Sequence, residues 1–336
     1  MDVQHLAETA RHLVADGKGL LAADESSGTI KKRFDQIHVE STERTRRDYR
    51  EILFTTPGIG DYISGAILFD ETIRQSASDG RSLVAHLTHA GVVPGIKVDT
   101  GAKPLAPFGI EKVTEGLDGL RERFAEYRAL GARFAKWRAV YSVDAGLPSL
   151  ACIQANAHAL ARYAALAQEA DIVPIVEPEV LMDGGHDIAA CAAATETVLH
   201  AVFAELALQQ VAPEGVLLKP NMVLPGKDSP QRAAPETVAR ETLRCFKRAV
   251  PAAVPGIVFL SGGQDDEEAT VNLDAINRLA RTETAPWALS FSYGRALQQP
   301  ALKAWAGSND NAETARAAFI DRARANSAAA QGRYAA

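Results

Sequence analysis

Cysteine is scarce: Cys152, Cys191 and Cys245 are the only three in 336 residues, and they lie far apart. None forms a C-x-x-C pair and the count is odd, so free thiols in a reducing compartment fit better than a disulfide framework. Long apolar runs are missing as well. The N-terminal stretch MDVQHLAETARHLVADGKG is polar and helix-patterned, without an apolar signal core. Nothing later reaches the uninterrupted apolar length of a membrane span. No long basic run stands out within the formal charge of −6, which argues against nucleic-acid binding and mainly supports solubility. There is no Ser/Gly linker, low-complexity tract, short repeat or break in composition. The expectation is a soluble cytoplasmic protein with no membrane or nucleic-acid partner. It should form one undivided domain over residues 1–336, with a short C-terminal tail from about 327.

What the chain does have is apolar material, nearly half of all residues, cut into short pieces. Eight runs recur: GLLAAD (19–24), YISGAILF (62–69), VVPGIKVD (92–99), RFAKWRAVY (133–141), IVPIVEPEV (172–180), GVLLKPNMV (215–223), GIVFLSGG (256–263) and WALSFSYG (287–294). Several are almost wholly apolar rather than alternating, the pattern of strands buried on both faces. Between them lie segments rich in Ala, Leu, Glu and Arg, all good helix formers. Eight such units in an undivided chain predict a single (β/α)₈ TIM barrel of the α/β class. TERTRRDYREILFTT (42–56) reads as an extra helix near the N-terminus, and RALQQPALKAWAG and ETARAAFIDRARANSAAAQGRYAA as closing helices and tail. A doubly wound sheet would lead us to expect a G-x-G-x-x-G turn after the first run, and ADESSGT is not one.

A barrel of this kind carries its active site at the C-terminal ends of the strands. The runs deliver Asp24 and Glu25, then Lys97 and Asp99, Lys136 and Arg138, Glu177 and Glu179, and Lys219 and Asn221. The last two deliver Ser261, Gly262 and Gly263, then Ser292, Tyr293, Gly294 and Arg295. The chain has eleven lysines against twenty-five arginines, yet three runs carry a lysine. Arginine is effectively always protonated, whereas a buried or crowded lysine can lose its proton, so these positions hint at amine chemistry. Alone, each fits a partly buried ion pair or a snorkelling stem. Lys136 and Lys219 are expected to be neighbours, each disfavouring protonation of the other, which would favour attack on a carbonyl. Glu177 could shuttle protons or simply pair with a lysine; Asp24 could act on substrate, cap a helix or form a salt bridge.

The last two runs suggest phosphate. SGG after a strand exposes backbone N–H groups, and Arg295 can form a bidentate clamp, although an isolated SGG is more often only a turn. A second basic set, Lys32, Arg33, Lys97 and Arg138, could hold another anion, while Lys32 and Arg33 also fit a solvated helix face. His86 and His89 read as part of an outer helix and no histidine falls at a strand end, so no catalytic metal is expected.

Taken together, GKGLLAADES, GIKVD, GLDGL, FAKWR, IVPIVEPE, LLKPNMV, PGIVFLSGGQ, PWALSFSYGRALQ, ALKAW and QGRY resemble the class I, or Schiff-base, fructose-1,6-bisphosphate aldolases. They follow one another in family order from residue 17 to residue 334, nearly the whole chain. The resemblance implies reversible cleavage of fructose 1,6-bisphosphate to dihydroxyacetone phosphate and glyceraldehyde 3-phosphate, in glycolysis and gluconeogenesis. It implies that Lys219 forms the Schiff base, that Glu177 is the acid/base of imine formation and that Lys136 assists the carbinolamine steps. Asp24 would handle the C4 hydroxyl, and Glu179 would orient Lys219 and Glu177. Ser261, Gly262, Gly263 and Arg295 would bind the C1 phosphate. Ser26, Lys97 and Arg138 would bind the C6 phosphate, with Lys32 and Arg33 nearby, and Thr29 stands where many members have serine. The resemblance implies no cofactor or metal, sugar phosphates as partners and a homotetrameric assembly. Animal members end in a tyrosine that assists proton transfer; this chain stops at QGRYAA, so another group or water is expected to protonate the enamine, or that step is slower. A transaldolase-like or deoxyribose-phosphate aldolase-like barrel is the competing enzyme reading, and two phosphate sets argue against it. A non-enzymatic scaffold need not keep Lys219, Glu177, Lys136 and Asp24 together.

Overall fold

The computed structural model describes residues 2–335. Ten strands form: β1 (Gly19–Ala23), β2 (Ile63–Leu68), β3 (Val93–Lys97), β4 (Gly101–Pro104), β5 (Lys112–Glu115), β6 (Phe134–Tyr141), β7 (Val173–Val180), β8 (Leu217–Leu218), β9 (Gly256–Phe259) and β10 (Ala288–Tyr293). Eight of them close a barrel in the order β1-β10-β9-β8-β7-β6-β3-β2, every neighbouring pair parallel. Helices cover the outside, as the apolar runs require: β1, β2, β7 and β9 are buried at every position.

The lumen has two layers, set by the alternation of side chains along a strand. At the N-terminal ends Leu20, Ile67, Phe134, Val173, Ile175, Leu217 and Val258 form one apolar cluster. Leu6, Ala10 and Leu13 of helix Val3–Leu13, with Val14 after it, join that cluster and plug this end of the barrel. Phe134 fits because Gly95 makes room: a Cβ there would lie 2.3 Å from the ring. Two residues further along the same faces the chemistry changes. Phe134 gives way to Lys136, Ile175 to Glu177, and Leu217 to Lys219. The apolar layer thus forms the floor on which the charged residues stand.

Three features depart from the sequence reading. The sixth run pairs as a strand only over Leu217–Leu218, because Pro220 has no N–H to continue the ladder. The ladder still reaches Lys219, whose N–H donates to the Val176 carbonyl at 2.8 Å, and the Pro220 carbonyl accepts from Leu260 N at 3.1 Å. The antiparallel hairpin β4–β5 was not expected; its residues are mostly exposed, and its two short strands lack the apolar run of a barrel strand. It leans on β6, where the Thr114 hydroxyl donates to the Arg138 carbonyl at 2.7 Å. Finally, helix Ala312–Ala330 continues past the expected start of the tail at 327. The extra helix forms as Glu43–Phe54, started by a Thr42/Thr45 capping box, and His86 and His89 lie on helix Leu83–His89.

Candidate active site

The C-terminal ends of the strands surround one cavity of about 770 Å³. Asp24, Lys97, Lys136, Arg138, Glu177, Glu179 and Lys219 all line it, as do Ser261, Gly262, Gly263, Ser292 and Arg295. No histidine does. Ser26 and Thr29 reach it from the start of helix Ser27–Asp35 and Arg33 from its last turn; Ser26 caps the helix by accepting from Thr29 N at 3.4 Å. Lys32 does not. It is exposed and absent from the lining, because one step along a helix rotates the side chain by about 100°, away from the face that carries Thr29 and Arg33. Lys32 therefore leaves the set of candidate anion contacts.

At the centre four charges form a chain. Lys136 Nζ lies 2.7 Å from Asp24 Oδ2 and 3.2 Å from Glu177 Oε2. The other oxygen of Glu177 lies 3.2 Å from Lys219 Nζ. Asp24 directly follows β1 and Lys136 lies on β6, on different parts of the wall, so only barrel closure brings them together. Both lysines and Glu177 keep only 5% of their side-chain surface exposed. Burial alone would push the Asp24 carboxyl up, but Lys136 and Lys219 outweigh it and hold the group well below the usual carboxylate range. Glu177 is likewise held down by Lys136, Lys219 and Arg138 against the effect of burial.

Lys136 corrects one expectation. Burial favours its neutral form, yet Asp24, Glu177 and Asp99 together raise its pKa above the ordinary lysine value. The carboxylates beside Lys136 outweigh the effect of burial, and Lys136 is the fixed cation of the site. Glu177 is placed between the two amines, within reach of each.

The surrounding ring is built of ion pairs. Arg138 Nε donates to Glu179 Oε2, and Lys97 Nζ donates to both the carbonyl and Oδ1 of Asp99 at 2.6 Å. Arg33 pairs with Glu25. Arg295 Nη2 donates to the Gln264 carbonyl at 2.6 Å beside the Ser261–Gly263 turn. Glycine is required in that turn: Gly263 has φ +83, and a Cβ would meet Met182 at 2.5 Å. Asn221 does not face the cavity; it is buried, accepts from Val180 N at 2.9 Å, and braces the end of β7. Asp24 is not a helix cap, a role taken by Ser26. Sequence reasoning missed Arg123, Tyr127, Asp183 and Lys227, which also line the cavity. Arg123 and Tyr127 sit on helix Leu120–Ala129 and Asp183 and Lys227 in loops, and no local pattern marks them.

The sequence profile described as fructose-bisphosphate aldolase class-I matches residues 5–336. Among curated relatives, "Probable fructose-bisphosphate aldolase class 1" of Xanthomonas campestris pv. campestris is 54% identical over 335 residues, covering 99% of both chains. "Fructose-bisphosphate aldolase 4, cytosolic" of Arabidopsis thaliana is 55% identical over 329 residues, covering 98% of this chain and 83% of the relative. The fold matches, with a TM-score of 0.97, a fructose-bisphosphate aldolase from Plasmodium falciparum solved in complex with TRAP and a small-molecule inhibitor. That chain is 50% identical, and the match covers 99% of this chain and 96% of the other. Barrel, cavity and full-length matches agree: the chain belongs to the class I fructose-bisphosphate aldolase family.

Proposed function

We propose that the protein cleaves fructose 1,6-bisphosphate reversibly to dihydroxyacetone phosphate and glyceraldehyde 3-phosphate through an imine on Lys219. The observation that carries this reading is the Asp24–Lys136–Glu177–Lys219 chain of contacts inside a largely buried strand-end cavity. Lys219 attacks C2 of the open-chain ketose, its surplus proton passing to Glu177, whose Oε1 lies 3.2 Å from Nζ. The oxygen anion takes up one proton from water to become the carbinolamine hydroxyl, and Glu177 then returns its proton to that hydroxyl, which leaves as water and gives the iminium. Lys136, kept cationic by its carboxylate neighbours, stabilises the oxygen anion that develops in these steps. Asp24, held as the carboxylate, takes the proton of the C4 hydroxyl. The C3–C4 bond breaks, its electron pair flows into the iminium to give an enamine, and glyceraldehyde 3-phosphate departs. Protonation at C3 and hydrolysis release dihydroxyacetone phosphate and restore Lys219.

Ser261, Gly262, Gly263 and Arg295 are read as the C1-phosphate site. Ser26, Thr29, Arg33, Lys97 and Arg138 are read as the C6-phosphate side, and Glu179 as the partner that orients Arg138 near Glu177. Two phosphate contacts far from the reacting carbons position the ketose and contribute binding energy. The iminium is the electron sink, so no step in this scheme calls for a metal. We further read residues 1–336 as one domain that acts in the cytoplasm as a homotetramer. The relatives' cytosolic names support that location.

Incubation with dihydroxyacetone phosphate followed by borohydride reduction should leave a stable adduct on Lys219, located by mass spectrometry. No adduct there would reject the Schiff-base reading, and loss of activity in EDTA would point to metal chemistry instead. Turnover should fall sharply with fructose 1-phosphate; equal rates would reject the C6-phosphate site.

A further inference from the structure

Residues 24–26 join β1 to helix Ser27–Asp35 without regular secondary structure, yet they carry Asp24, Glu25 and Ser26. Such a connection is free to wander unless its backbone is held from outside. Two buried side chains hold it. Arg50 Nη2 donates to the Glu25 backbone carbonyl at 2.7 Å and lies 3.7 Å from Glu25 Oε2. Gln298 Nε2 donates to the Ala22 carbonyl at 2.6 Å and to Glu25 Oε1 at 2.8 Å, pinning the end of β1 to the connection. Neither side chain lines the cavity, and each is only 1% exposed.

We propose that Arg50 and Gln298 are positioning residues: they hold residues 24–26, and through them the Asp24 carboxylate, in the geometry that carbon–carbon cleavage needs. The inference rests on the proposed reading of Asp24 as the group that handles the C4 hydroxyl. Arg50 is presented by helix Glu43–Phe54, and Gln298 by helix Arg295–Trp305. These two helices and helix Ser27–Asp35 are locked by Phe34, Tyr49 and Trp305, whose ring centroids lie 5.3–5.9 Å apart. The Tyr49 hydroxyl also donates to the Gln298 carbonyl at 3.3 Å. The clamp therefore stands on a rigid base.

Stability alone does not explain it. Arg50 Nε and Nη1 and Gln298 Oε1 are buried without a protein partner, and burying unpaired polar groups is costly. Apolar side chains of similar size would serve packing as well or better. A local rule broken beside a functional loop is the pattern expected of a residue kept for position. Gln298 also shares a helix with Arg295, three residues earlier, so the proposed C1-phosphate contact and the Asp24 connection are tied to one element.

The test compares two reactions in Arg50→Met, Gln298→Leu and Arg50→Lys. Dihydroxyacetone phosphate has no C4 hydroxyl, so forming its imine does not call on Asp24. Single-turnover cleavage of fructose 1,6-bisphosphate should fall by about 10–100-fold in Arg50→Met and Gln298→Leu, with KM and the rate of borohydride-trapped imine held within about twofold. Arg50→Lys, which keeps a donor for the Glu25 carbonyl, should recover part of the cleavage rate. Unchanged cleavage in folded variants would overturn the proposal, as would equal losses in cleavage and trapping. If Arg50→Met does not fold, Gln298→Leu decides. Failure of the native protein to trap an adduct on Lys219 would refute the proposed function itself, a distinct result.

Discussion

Replacing Lys136 with methionine removes the cation that Asp24 and Glu177 share. Its Nζ lies 2.7 Å from one carboxylate and 3.2 Å from the other, and the side chain is 5% exposed. With an effective permittivity of 20 the two contacts correspond to about 6 and about 5 kcal/mol of gross Coulomb attraction. Much of that offsets the cost of dehydrating three charges. Deleting only the cation leaves two buried carboxylates short of their partner, and the expected loss of stability near neutral pH is about 3–5 kcal/mol. The sign of the pH dependence follows. In the native protein both carboxyls sit below their ordinary values, so their stabilisation is present above the unfolded value of about 4 and is lost as pH falls through the folded one. In Lys136→Met, burial faces weaker opposition and both values rise. The destabilisation should therefore be greatest at neutral pH and shrink on acidification, as the carboxyls take up protons. Urea unfolding at several values between about pH 5 and pH 8 reads this directly. The turnover number should drop by about 10²–10⁴-fold. A loss below about 1 kcal/mol at neutral pH, or one equal at every pH, would refute the account of Lys136 as the fixed cation of the site.

Arg295→Ala should raise KM for fructose 1,6-bisphosphate by about 10–100-fold, the equivalent of one or two charge-assisted hydrogen bonds, with a smaller change in kcat. Steady-state kinetics that leave KM unchanged would remove Arg295 from the phosphate site. Gly95→Ala should lower stability by about 1–3 kcal/mol, because the new methyl would lie within 2.5 Å of the buried Phe134 ring. An unaltered melting temperature in calorimetry would show that the ring can move aside.

The eight barrel strands were legible in the sequence because a strand buried on both faces is written locally, as a short apolar run between turns. Their ends were legible for the same reason: the run stops being apolar at Asp24, Lys136, Glu177 and Lys219. The hairpin β4–β5 was not, since its short, mostly exposed strands GAKP and KVTE contain no apolar run. Lys32 and Arg33 look alike in sequence, and only the rotation of helix Ser27–Asp35 separates them, one exposed on the outside and one lining the cavity.

Burial pattern and side-chain chemistry are properties of short segments, so the architecture and the kinds of chemical group at the barrel mouth can be read from the chain alone. Which charges touch was decided by tertiary structure alone. Closure of the sheet brings Asp24, just after β1, to Lys136 of β6, and the register of β7 against β6 and β8 puts Glu177 between Lys136 and Lys219. Those contacts hold Asp24 and Glu177 as carboxylates and Lys136 as a cation, and they place Glu177 as a bridge between the two lysines. The role of Arg50 is equally non-local: a polar helix residue in sequence, it becomes a buried clamp only when helix Glu43–Phe54 packs behind the Asp24 connection.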